Sequence, residues 1–73
     1  MNAMLEDHLT AVELLIAETK RRVNHQRELV AALESDGHDT SQATRLLAQL
    51  EEVLATQIAE RDRVRKELGL STG

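Results

Sequence analysis

The chain contains no Cys, Pro, Phe, Trp or Tyr and only three Gly. Without cysteine there is no disulfide framework, no cysteine-ligated zinc and no thiol nucleophile. Without aromatic rings the usual stacking platforms for single-stranded nucleic acid are missing. No run approaches the roughly 18 apolar residues of a membrane-spanning helix. The first ten residues, MNAMLEDHLT, carry acids where a secretory signal needs a basic stretch and a long apolar core. A chain without cysteine is stable in either redox regime, so the expected cytoplasmic location rests on the missing signal and span.

What is present fits one small domain: 73 residues, nine Lys+Arg against thirteen Asp+Glu, and a net charge of −4 with histidines neutral. Hydrophobic residues make up 41% and charged residues 30%, too apolar a balance for a disordered tail. The expectation is a helical, self-associating module.

One punctuation mark divides the chain, Ser35-Asp36-Gly37-His38-Asp39-Thr40. Gly37 suits the left-handed residue that ends a helix, because it has no side chain to clash there. Asp39 can cap the following helix, with Gln42 completing a capping-box pattern, or the helix can begin at Thr40. Both flanking arms are rich in Ala, Leu, Glu, Gln, Arg and Lys, all good helix formers. Gly69 and Ser71-Thr72-Gly73 close the second arm. The predicted elements are helix 1 over residues 3–35, a turn over 36–39, helix 2 over 40–68 and a tail over 69–73, all one domain spanning 1–73.

The apolar spacing decides the architecture. Leu5, Leu9, Val12, Ile16, Thr19, Val23, Gln26, Val30 and Leu33 alternate steps of four and three. Ala43, Leu47, Leu50, Leu54, Gln57, Arg61, Val64 and Leu68 do the same. Such alternation is the a/d seam of a coiled coil, and the period-two pattern of a strand is absent. Folding back at the turn sets Leu5 opposite Leu68, Leu9 opposite Val64, Val12 opposite Arg61 and Ile16 opposite Gln57. It then sets Thr19 opposite Leu54, Val23 opposite Leu50, Gln26 opposite Leu47 and Val30 opposite Ala43. Each layer joins an a position to a d position, as antiparallel packing prefers. Glu6 with Arg65, Lys20 with Glu51 and His8 with Glu67 are the expected flanking pairs, each worth under about 1 kcal/mol. The predicted fold is all-α, an antiparallel two-helix hairpin.

Two helices share a single seam, yet Leu15, Leu29, Leu46 and Val53 fall at g, beside it. A stripe widened to a, d and g is the pattern of a helix that touches two partners in a bundle. Leaving these side chains exposed would forgo roughly 1.5–3 kcal/mol each. Chains below about 80 residues commonly add stability by oligomerising. The simplest completion is a homodimer of hairpins forming a four-helix bundle, with Leu15, Leu29, Leu46 and Val53 as its interface. A helical partner protein on the same stripe is the other occupant. Leu14, Met4 and Ile58 fit neither stripe.

Thr19, Gln26, Gln57 and Arg61 are polar seam positions, and fixing register is the known use of such residues. Arg61 has a stem long enough to reach solvent, Glu13 or Glu60. A ligand site in the bundle core around Gln26, Gln57 and Arg61 is the functional alternative. His8, His25 and His38 lack the spacing of a metal site, and no HExxH or Glu-x-x-His pair occurs. The carboxylates alternate with basic residues on solvated faces, and no glycine-rich phosphate loop or nucleophile elbow is present. The expectation is therefore no enzyme, no cofactor, no metal, no small-molecule substrate and no membrane partner. Two basic clusters, Lys20-Arg21-Arg22 with Arg27 and Arg61, Arg63, Arg65 with Lys66, motivate a second functional class. Outward Arg21, Arg22, Arg63 and Lys66 could contact structured RNA through its shape and backbone. Against this stand the acidic whole chain and the ordinary preference of cations for helix C-termini.

Gly37-His38-Asp39-Thr40, Ala43, Leu46-Leu47, Arg61-Asp62-Arg63 and Glu67-Leu68-Gly69, together with His25-Gln26-Arg27-Glu28-Leu29-Val30, resemble a group of short, uncharacterised alpha-proteobacterial proteins. The resemblance spans nearly the whole chain and implies a bacterial origin and a complete chain, with no activity, cofactor or catalytic residue attached. In architecture alone the hairpin is similar to the plasmid RNA-binding hairpin dimer known as Rop, a likeness of fold that carries no function.

Overall fold

A computed structural model describes residues 2–69. Two helices, α1 (Ala3–Ser35) and α2 (Ser41–Glu67), pack antiparallel in a hairpin 54 Å long and 18 × 16 Å across, with no strand among the described residues. The bounds of α1 are those expected, and α2 lies one residue inside the expected 40–68 at each end. Residues 70–73 of the expected tail lie outside the described residues.

The ends of both helices follow from their local chemistry. Asn2, in extended backbone, accepts the Leu5 N–H on its Oδ1 at 3.2 Å and so satisfies one donor that the first turn of α1 leaves open. At the other end Gly37 takes φ +73°. Its N–H donates to the Glu34 carbonyl at 3.1 Å, and the His38 N–H donates to the Leu33 carbonyl at 2.9 Å. That pair of bonds is a Schellman motif, which turns the chain while closing the last carbonyls of α1. The N-cap of α2 is Thr40, the alternative start, and it makes no side-chain cap bond; Asp39, one residue earlier, turns onto Ser41 instead of forming a box with Gln42. Its carboxylate accepts the Ser41 N–H at 2.9 Å and the Ser41 hydroxyl at 2.7 Å. Those two bonds hold the Asp39 carboxyl below its ordinary range, the hydroxyl first.

The seam is where the sequence places it. In α1, Val12, Ile16, Thr19, Val23 and Gln26 are buried, and Leu5, Leu9, Val30 and Leu33 are half-buried; every other described α1 residue is exposed. In α2, Val64 is buried and Ala43, Leu47, Leu50, Leu54, Gln57 and Arg61 are half-buried, as are Ile58, Glu60, Asp62 and Arg65 beside the seam and Leu68 just past the helix end. The buried side chains of α1 are mostly β-branched, and the leucines of α2 that face them are half-buried. The core is one layer thick.

Two cross-helix bonds report the register. His8 and Glu60 lie 2.8 Å apart, and Arg27 donates to Glu51 at 3.0 Å. His8 precedes Leu9 and Glu60 precedes Arg61, so their bond flanks the Leu9–Val64 and Val12–Arg61 layers. Arg27 follows Gln26 and Glu51 follows Leu50, so theirs flanks the Val23–Leu50 and Gln26–Leu47 layers. Both bonds fit the register deduced from spacing, yet both replace expected pairings. His8 meets Glu60 instead of Glu67, Glu51 meets Arg27 instead of Lys20, and no ion pair joins Glu6 to Arg65 among the described residues. A side chain at the edge of an antiparallel seam reaches across two successive layers, not to the residue nearest its own height.

Replacing Gly37 with Ala tests the turn. A Cβ there would meet no atom within 4 Å, so the left-handed backbone supplies the whole penalty. Urea unfolding followed by helical circular dichroism should show a loss of about 1–2 kcal/mol with an unchanged denaturant slope.

Candidate interaction surface

An antiparallel seam has two edges, and this hairpin makes them chemically different. One edge collects the residues that precede the a positions: His8, Leu15, Arg22 and Leu29 from α1, and Leu46, Val53, Glu60 and Glu67 from α2. The other collects those that follow the d positions: Glu6, Glu13, Lys20, Arg27 and Glu34 from α1, and Thr44, Glu51, Ile58 and Arg65 from α2. The four expected interface residues therefore share one edge, where Leu15 is 49%, Leu29 43%, Leu46 45% and Val53 48% exposed. On the charged edge the sole large aliphatic, Ile58, is half-buried. Met4 and Leu14 are the other strongly exposed aliphatics and lie apart from the four, Leu14 on the outer face.

The aliphatic edge continues into a second stripe that the reading of the sequence left unseen. Ala11, Leu15, Glu18, Arg22, His25, Leu29 and Ala32 repeat the three-four alternation on α1, as do Gln42, Leu46, Gln49, Val53 and Thr56 on α2. Its period was available in the sequence, but Ala, Gln and an internally paired Glu–Arg do not register as hydrophobic. Three shallow grooves run along this side, of about 590, 410 and 540 Å³, the third lined by Gln49, Val53 and Thr56. Glu18, Arg21, Arg22 and His25 line the first, Leu29, Leu33 and Gln42 the second, and both include Gln26 and Leu46.

The polar seam residues do not converge. Gln26, buried, donates its side-chain amide to the Ala43 carbonyl at 2.9 Å, a bond across the hairpin made beside the small alanine side chain. Thr19 is buried in the next layer but one, opposite Leu54. Gln57 Oε1 and Arg65 Nε are buried without a hydrogen-bond partner among the described residues. Arg61 turns to its neighbour Asp62, at 3.1 Å from Nε, rather than to Glu13 or Glu60. Gln26 stands ten residues of α1 beyond Ile16, the residue opposite Gln57, a separation of roughly 15 Å at the helical rise. Gln26, Gln57 and Arg61 thus form no single cluster.

At the open end of the hairpin Glu60 gathers His8 and Arg63, the latter at 2.7 Å, while Arg63 also reaches Glu67. The Arg63 hydrogen bond first, and His8 second, pull the Glu60 carboxyl down from 4.5 to about 2. The same carboxylate raises Arg63. Of the four basic residues considered for RNA contact, Arg63 is therefore neutralised, and Arg22 is held by Glu18 at 2.8 Å. Arg21 and Lys66 are exposed and make no ion pair among the described residues, Arg21 at mid-hairpin and Lys66 at the open end. No group of three metal-ligating side chains occurs among the described residues, and no described helix is long and apolar enough to cross a membrane.

Compared with known proteins, the chain matches no family, no curated protein and no solved structure.

The Glu60 carboxyl gives a signed pH dependence. Its folded pKa lies below its unfolded value, so its stabilising contribution is complete above 4.5 and is lost as pH falls toward about 2. Glu60→Gln should lessen the acid loss of stability across that window, read as urea midpoints at successive pH values.

Proposed function

We propose that this chain is a non-enzymatic assembly module that pairs with a second copy of itself through its aliphatic edge, completing a four-helix bundle. The supporting observation is the segregation of Leu15, Leu29, Leu46 and Val53 to one edge while charged residues hold the other. An aliphatic stripe on both helices at seam spacing is what a second helical layer packs against. A cytoplasmic location belongs to the same proposal.

RNA contact through Arg21, Arg22, Arg63 and Lys66 is the weaker proposal, because carboxylates on the same helix hold two of the four. It would show as retention on RNA at low salt that falls steeply as salt rises.

Sedimentation equilibrium with interference detection should give a dimer mass. Changing Leu29 and Leu46 together to Glu should convert it to a helical monomer, since both positions already face water in the single hairpin. A folded parent that sediments as a monomer would overturn self-association and direct the search to a helical partner protein.

A further inference from the structure

Two twofold arrangements can close the dimer proposed above, and both keep neighbouring helices antiparallel. With the turns at the same end, α1 lies against the partner's α2. With the turns at opposite ends, α1 lies against the partner's α1, and α2 against the partner's α2. The two arrangements differ in what covers Glu18 and Arg22. These are the charged residues in the middle of the α1 stripe, whereas the α2 stripe is uncharged from Gln42 to Thr56 and takes up charge only toward the open end, at Glu60, Arg63 and Glu67.

With the turns together, each helix meets the other at equal height. Thr19 stands opposite Leu54 and Val23 opposite Leu50, so Glu18 and Arg22 would be covered by Gln49, Val53 and Thr56. Half-exposed charges, 49% for Glu18 and 65% for Arg22 in their side chains, would lose water and gain no opposite charge beyond the pair they already make. Desolvation without a new partner is costly. With the turns apart, a twofold axis passing between Glu18 and Arg22 sets Glu18 against Arg22 of the partner subunit, and Arg22 against Glu18 of the partner subunit. The same register packs Leu29 on Ala11 of the partner subunit, large on small, and centres the α2 pair on Val53, with Leu46 at the height of the partner subunit's Glu60. At the axis, charge meets opposite charge.

We infer that the two copies join with their turns at opposite ends, Glu18 and Arg22 of both chains forming one four-charge cluster astride the twofold axis. This inference rests on the self-association proposed above and selects one geometry for it.

The test uses Glu18→Arg and Arg22→Glu in the full chain, with circular dichroism to establish that each remains helical. Alone, each variant sets like charges together at the axis and should weaken self-association by about tenfold or more. Mixed in equal amounts, the two should recover a dimer of parental affinity, because every cross-chain pair is again opposite in sign. Single variants that dimerise as tightly as the parent, or a mixture that recovers nothing, would overturn the geometry. A second readout needs no charge change. The chain has no cysteine, so His38→Cys places one spin label in each turn. Turns at opposite ends predict a label separation near the 54 Å long axis, and a separation below half that length would overturn the inference while leaving the dimer intact. A monomeric parent chain would instead remove the self-association itself.

Discussion

Everything in this molecule hangs on a seam one side chain deep. Two helices can bury only the stripe that each turns toward the other, and here that stripe alternates steps of three and four without interruption. The buried α1 positions are largely β-branched or short, and the leucines of α2 that face them keep part of their surface in water. The thinness of this core makes the edges matter. In a thicker protein, Leu15, Leu29, Leu46 and Val53 would be marginal residues. Beside a single layer they are four exposed aliphatics along one edge of the seam.

The polar residues in the seam are best understood as local solutions. Gln26 gives its amide to a backbone carbonyl of the opposite helix where Ala43 leaves room, so the bond is tied to one register. A slip by one heptad would carry that carbonyl out of reach and leave the amide buried without its partner, at a cost of about 1–3 kcal/mol. Arg61 donates to the Asp62 carboxylate beside it, and its long stem suits a half-buried seam position. Such residues sacrifice some burial for a defined alignment.

The helices, the turn and the pairing of layers were legible in the sequence because each depends on periodicity or on a single special residue. Gly37 could be recognised since few other residues accept its backbone angle, and the layers followed once the turn was placed. The edge contacts were harder to read. His8 and Glu51 each have two oppositely charged or hydrogen-bonding candidates on the facing helix, and only the way side chains reach across successive layers selects between them. That α2 starts after Thr40 with Asp39 left in the turn depended on Ser41, whose N–H and hydroxyl both reach the carboxylate two residues back. The stripe through Ala11, Glu18, His25 and Ala32 went unread for a different reason. Its residues are small or polar, so its regularity carries no hydropathy signal, and it becomes visible only when the helices fix which side of the seam it lies on.

The Schellman turn also orders the way the hairpin closes. The Val30–Ala43 layer joins residues separated by a short loop, and every layer beyond it closes a longer one, at an entropic cost that grows slowly with loop length. Contacts therefore accumulate from the turn outward in the manner of a zip, local pairs first. The layers around Leu5 and Leu68 come last and are the first to open. The cluster of His8, Glu60, Arg63 and Glu67 sits at that final station, a clasp at the end that the turn does not hold.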